Sequence, residues 1–150
     1  MLIEDRIERE TLIEAPIERV WALVSEPGWW AVHDKADVAG TVARAGETVV
    51  APNSTYGDFP VRIERVDPPG YVSYRWASAF PGQELRDDNA TLIEFTLTDE
   101  GGRTRLRVVE SGFGRLAGSE DLRRQALEDN TGGWAEEIAN LKARAEQRSA

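Results

Sequence analysis

Hydrophobic positions along the chain switch period several times, and the switches outline its elements. Residues 7–14 alternate loosely, with Ile7, Thr11 and Ile13 sharing one face, and predict a strand. Ala15-Pro16 then opens a short helix, because Ile17, Val20, Trp21 and Val24 follow at helical spacing and Pro27-Gly28 ends it. A second short helix or turn carries Trp29, Trp30 and Val32. Residues 37–44 and 48–52 read as a hairpin around Ala45-Gly46-Glu47, followed by strands at 59–66 and 71–78, the latter with Val72, Tyr74 and Trp76 on one face. The segment 79–89 contains Phe80-Pro81-Gly82 and several acids, and reads as a loop or lid. Strands at 91–98 and 103–111 join at Asp99-Glu100-Gly101-Gly102. Ser119, followed by Glu120 and Asp121, caps a long helix that runs to about residue 147. Leu122, Ala126, Trp134, Ile138 and Leu141 form its apolar row, interrupted by Gly132-Gly133. Two glycines cost about 1 kcal/mol each against alanine there, so they imply a kink, a close approach or reserved space.

One strand, two short helices, about six strands in hairpin order and one long C-terminal helix make an α+β fold. A curved antiparallel sheet must cover its apolar face, and the long amphipathic helix supplies the cover. At 150 residues the chain is expected to form a single domain spanning 1–150.

Charge and composition narrow the partners. The net charge of −9 argues against nucleic acid and against anionic membranes, and no apolar run is long enough to span a bilayer. The acidic start Met1-Leu2-Ile3-Glu4-Asp5 is unlike a secretory signal, so a cytoplasmic location is expected. With no cysteine and one histidine, thiolate chemistry and zinc–thiolate sites are excluded, and no metal or other cofactor is expected. No phosphate-binding glycine loop or nucleophile elbow is present.

Several segments, in order, carry a resemblance. They are Ile13-Glu14-Ala15-Pro16-Ile17-Glu18-Arg19-Val20-Trp21, Asp67-Pro68-Pro69 leading to Tyr74-Arg75-Trp76, Thr104-Arg105-Leu106 leading to Glu110-Ser111-Gly112-Phe113, and Asn130 with Gly133-Trp134 before Leu141. Together they resemble the START-like (SRPBCC, polyketide cyclase–birch pollen allergen-like) superfamily. Within it they resemble the small bacterial members of the family of activators of the heat-shock-chaperone ATPase. The resemblance implies a helix-grip fold with a cavity between sheet and C-terminal helix. It leaves function open, since superfamily members bind lipids, sterols or hormones and some act as aromatase/cyclases.

Glu110 continues the otherwise apolar row of Leu106 and Val108. It is either a polar anchor in an apolar pocket, with acid function if desolvated, or a structural partner of Arg62, Arg75 or a backbone group near the rim. The first reading predicts that Glu110→Gln weakens ligand binding more than it lowers the melting temperature. His33, the only histidine, is either a general base or, far more often in such a setting, a loop histidine. Asp34, Asp37, Asp87 and Asp88 read as solvated acids. Trp21 and Phe95 read as core, while Trp30, Phe59, Tyr74, Trp76, Phe80, Glu110, Asn130 and Trp134 are the candidate ligand-binding residues. Asn130 and Gly133 share a helix face: Gly133 leaves cavity space there, or merely lets a ring such as Trp76 approach.

The leading expectation is a module that binds a small hydrophobic or aromatic molecule between sheet and helix. A cyclase- or hydrolase-type enzyme acting on a polyketide-like substrate in the same cavity, using Glu110 and Tyr74 with His33 as a further candidate, is the alternative, and a chaperone co-factor or stress-response role follows only from the family name. A homodimer is compatible with the chain but not readable from it. The binding expectation requires a vestibule beside the long helix with an acid on its wall.

Overall fold

In a computed structural model of the chain, residues 5–32, 38–53, 55–80 and 82–147 are described. The elements are β1 (Arg6–Ile13), α1 (Ile17–Val24), β2 (Thr48–Ala51), β3 (Phe59–Asp67), β4 (Tyr71–Trp76), β5 (Thr91–Glu100), β6 (Arg103–Ser111) and α2 (Glu120–Glu146), with a 3₁₀ turn at Phe113–Arg115 before α2. The strands form one antiparallel sheet in the order β1-β6-β5-β4-β3-β2, curved around α2 as in a helix-grip fold. Alternation sends Ile93, Phe95, Leu97, Leu106 and Val108 inward. The outer face carries cross-strand ion pairs such as Arg105–Glu10 and Arg107–Glu8.

Local chemistry explains the boundaries. The β5–β6 hairpin closes with Glu100 opposite Arg103. Its two loop residues, Gly101 and Gly102, have φ of +68° and +87°, the left-handed pair that a two-residue turn between twisted strands needs. Ser119 caps α2, its hydroxyl accepting from the Leu122 N–H at 3.1 Å. After α1 the chain continues in short helical turns, with Trp29 N–H donating to Glu26 O and Ala31 N–H to Gly28 O. These turns bury Trp29 and Trp30 against the sheet.

One expected strand, at 37–44, is absent among the described residues. Residues 38–40 form a turn and 41–44 are irregular, so they give β2 no strand partner; Asp37 lies outside the described residues. Gly40 has φ of +77° and donates its N–H to the buried carboxylate of Glu26, so the backbone turns away where a strand would continue. Glu47 and Gly46 bond instead to Ile63, extending the β2–β3 edge. The loop after β4 is pinned rather than free: Asn89 is fully buried, its amide donating to Glu84 O and its carbonyl accepting from Arg86 N–H.

The helix α2 is fixed to the rest of the molecule along its length. At its start Arg123 donates to Leu116 O and Gly118 O. At its end Arg19 of α1 donates to the carbonyls of Ala145 and Gln147, groups that have no partner inside the helix. The Glu14 N–H bonds the Glu146 carboxylate, Lys142 bonds both Leu12 O and Glu146, and Arg144 pairs with the buried Glu26 at 3.6 Å. The middle of the helix is thereby held at a set distance from the sheet.

Candidate functional site

Between the middle of α2, the end of β4, residues 30–32, Asn53, Tyr56 and the start of β3 lies a groove of about 630 Å³. Trp30, Phe59 and Trp76 supply its aromatic surface, with Tyr56 exposed beside them. Asn130 and Gly133 stand on the helix side, with Ser78 and Asn53 completing the polar rim. Where the helix meets the rings, a pit of about 60 Å³ is lined by Trp30, Trp76, Trp134, Asn130, Gly133 and Glu137.

Of the two helix glycines, Gly133 lies on the groove wall. A Cβ built on Gly132 or Gly133 would meet no heavy atom within 4 Å. Neither glycine is therefore there to admit a close ring, and at Gly133 the missing side chain leaves open space on the groove wall. Of the two readings of Gly133, the structure supports reserved space.

Deeper in, the space between helix and sheet is filled by rings. Trp29, Trp30, Tyr74, Phe95 and Trp134 form a continuous set of contacts with centroids 4.9–6.3 Å apart. Tilted and edge-to-face geometries dominate it, as the ring quadrupoles favour. The groove is thus a mouth above a packed core, not a chamber that runs the length of the helix.

Glu110 sits in that core with no exposed surface. Its Oε2 accepts from Trp76 Nε1 at 2.8 Å and from Thr91 Oγ1 at 2.5 Å. Its Oε1 accepts from Trp134 Nε1 at 2.7 Å, and Asn130 Nδ2 reaches both oxygens at 3.1 and 3.2 Å. Neither predicted arginine is involved, because Arg62 and Arg75 lie on the opposite face and pair with Glu64. Burial pushes the Glu110 carboxyl above the ordinary carboxylate range, and the hydrogen bonds from Thr91, Trp76, Trp134 and Asn130 pull it back in part.

The candidate residues therefore separate. Trp30, Phe59, Trp76 and Asn130 line the groove, and Trp134 lines the pit. Glu110 lies behind Trp76, Asn130 and Trp134, which carry its hydrogen bonds. Tyr74 is buried, its hydroxyl donating to Val24 O at 2.8 Å, and burial followed by the Glu26 charge raises its pKa. Phe80 is half-buried against the core and lines neither space. His33, Asp34 and Asp37 lie outside the described residues. Phe95 is core, and Trp21 is half-buried against it. The Trp30 Nε1 is buried and has no hydrogen-bond partner among the described residues.

Sequence reasoning passed over Asn53, Tyr56, Ser78, Asp129, Glu136 and Glu137 as groove residues. A signal existed for Glu137, which stands seven residues after Asn130 and four after Gly133, on the same helix face. Asn53 and Tyr56 come from a loop with no periodicity and gave no comparable sign.

Comparison with known proteins agrees with this architecture. The family model described as Activator of Hsp90 ATPase homolog 1-like protein matches residues 14–146. No curated protein sequence matches. Among solved structures, protein MLL2253 from Mesorhizobium loti is similar with a TM-score of 0.72 at 19% identity, covering 97% of this chain and 99% of that one. DynU16, a putative protein in the dynemicin biosynthetic locus, gives 0.71 at 20% identity; the match covers 97% of this chain but 48% of DynU16. The Aha1 dimer from Colwellia psychrerythraea gives 0.66 at 17% identity, covering 94% and 96%. At these identities the likeness is one of fold.

Proposed function

We propose, from the premise that the chain belongs to the Activator of Hsp90 ATPase homolog 1-like family, that its groove binds a small hydrophobic or aromatic molecule. The observation that carries this reading is the groove of about 630 Å³ lined by Trp30, Phe59 and Trp76, with Gly133 leaving its helix wall open. Its size falls within the range of small-molecule sites, and its surface combines apolar rings with a few polar groups, as such sites do. Trp30, Phe59, Trp76 and Trp134 would contact the ligand's apolar body. Asn130 and Ser78, joined by a 2.9 Å hydrogen bond, would face its polar part.

Titration with naphthalene-2-methanol tests this, followed by the indole N–H signals in ¹H–¹⁵N spectra. Binding that is saturable in the parent chain and lost in Gly133→Leu, with folding retained, supports the groove. Equal binding in both would place the ligand elsewhere.

An enzyme built on Glu110, Tyr74 and His33 draws no support from the described geometry. The Tyr74 hydroxyl is committed to Val24 O, and Glu110 is enclosed by its own donors. A chaperone co-factor role rests on the family description alone and is tested by pull-down with the chaperone and an ATPase assay. Homodimerisation, suggested only by the dimeric Aha1 structure, is tested by light scattering.

A further inference from the structure

Three indoles, Trp30, Trp76 and Trp134, line the pit, and their N–H groups fare differently. Trp76 Nε1 and Trp134 Nε1 donate to Glu110 at 2.8 and 2.7 Å. Trp30 Nε1 is buried and has no hydrogen-bond partner among the described residues, although its ring borders both pit and groove. A buried N–H without an acceptor carries an uncompensated desolvation cost, and native proteins rarely leave one so. Because this indole borders the proposed binding site, a ligand atom can supply the missing acceptor.

Two neighbouring oxygen groups are committed elsewhere. Glu110 already receives Trp76, Thr91, Trp134 and Asn130. The Tyr74 ring packs against Trp30 with centroids 4.9 Å apart, yet its hydroxyl is directed to Val24 O. The groove lining supplies a second donor, since Ser78 Oγ accepts from Asn130 Nδ2 at 2.9 Å, which leaves its own proton for another oxygen. A carbonyl oxygen accepts without bringing a further donor or a charge. A carboxylate would have to shed its water for a pit walled mainly by rings, at a cost that one indole N–H does not offset.

We infer that the groove selects an uncharged ligand that bears a carbonyl oxygen. The oxygen enters the pit and accepts from Trp30 Nε1, and the apolar body lies along Phe59 and Trp76, whose ring centroids stand 5.3 Å apart. The pit, at about 60 Å³, is about a tenth of the groove's 630 Å³, so it takes the small polar end while the groove takes the body. The N–H is buried before the ligand enters, so binding turns the Trp30 indole edge toward the pit. This deepens the proposed function and rests on the groove being a binding site.

Three probes of similar shape test it: 2-acetylnaphthalene, 2-isopropenylnaphthalene, in which a methylene replaces the carbonyl oxygen, and 2-naphthoate. Each is titrated into the full chain and followed through the tryptophan indole N–H signals, with Trp30 assigned from its nuclear Overhauser contacts to Tyr74. The ketone is expected to bind about fivefold tighter than the alkene, with naphthoate weakest. The Trp30 N–H proton should move downfield with the ketone and not with the alkene. In Trp30→Phe, which keeps a ring and removes the donor, ketone and alkene should bind equally. Equal affinities in the parent chain, tightest binding of naphthoate, or a ketone preference that survives in Trp30→Phe overturns the inference while leaving the hydrophobic groove intact. If Trp30→Phe does not fold, the affinity order and the Trp30 shift in the parent chain decide. Failure of all three probes to bind removes both readings.

Discussion

Trp134 Nε1 on α2 donates to Glu110 Oε1 on β6 at 2.7 Å, and this bond joins helix and sheet through a carboxyl group with no exposed surface. Trp76 makes the equivalent bond from β4 to the other oxygen. Both indole groups can only donate, so each oxygen of Glu110 must accept.

That requirement makes Glu110→Gln a stability variant, the reverse of what a ligand anchor would give. A protonated acid can still accept an indole N–H on its hydroxyl oxygen while donating to Thr91. An amide nitrogen cannot accept, so either orientation of the glutamine leaves one buried indole N–H facing a donor. The expected loss is about 1–3 kcal/mol in urea unfolding, with probe binding changed less than stability. A variant of unchanged stability but abolished binding would return Glu110 to the role of ligand anchor.

The same group sets a pH dependence. Its folded pKa is raised, so the native state binds more protons than the unfolded chain between the unfolded and folded pKa values. Stability therefore falls with rising pH across that window. The Glu110 contribution is fully present below the ordinary carboxylate pKa and is lost as pH rises through the folded value. Unfolding free energies between roughly pH 4 and pH 8 should show the gap between the parent chain and Glu110→Gln narrowing as pH rises. A widening gap would mean that hydrogen bonding to the ionised form outweighs desolvation.

Gly132→Ala should stabilise the protein by about 1 kcal/mol. Its Cβ would enter open space, and alanine restricts the unfolded chain and favours helix. Thermal unfolding measures the gain, and a loss of stability would mean that the helix needs glycine's freedom at this position.

Tyr74→Phe should cost about 1 kcal/mol by removing the hydroxyl that bonds Val24 O and leaving that buried carbonyl short of a donor. Affinity for naphthalene-2-methanol should stay within about twofold, because Tyr74 does not line the groove. A large affinity loss at unchanged stability would place the hydroxyl in ligand recognition.

Much of the fold was legible because its signals are local. Gly101-Gly102 marked the hairpin turn, Ser119 marked the start of α2, and alternation turned Thr91, Trp76 and Glu110 inward. The partners of Glu110 were less legible, since they come from β4, β5 and α2 and depend on register and helix rotation. Their identity follows from Ile93 standing opposite Glu110 and Thr91 opposite Trp76, pairings that alternation alone does not fix. The strand expected at 37–44 failed at Gly40, whose N–H is bound by Glu26, a tertiary bond with no sequence signature. The groove was legible through Trp30, Phe59 and Trp76 on its aromatic side and through Asn130 and Gly133 on its helix side. The ring packing that closes the space beneath it depends on where Trp29 settles, which the turns after α1 determine.

Indole ¹H–¹⁵N spectra recorded during a naphthalene-2-methanol titration test the groove most directly, because each tryptophan reports from a different place. The Trp30 and Trp76 signals should move saturably, while Trp21, which lines neither the groove nor the pit, should stay fixed. Shifts confined to Trp21, or no saturable shift at any indole, would contradict a ligand site between α2 and the end of β4.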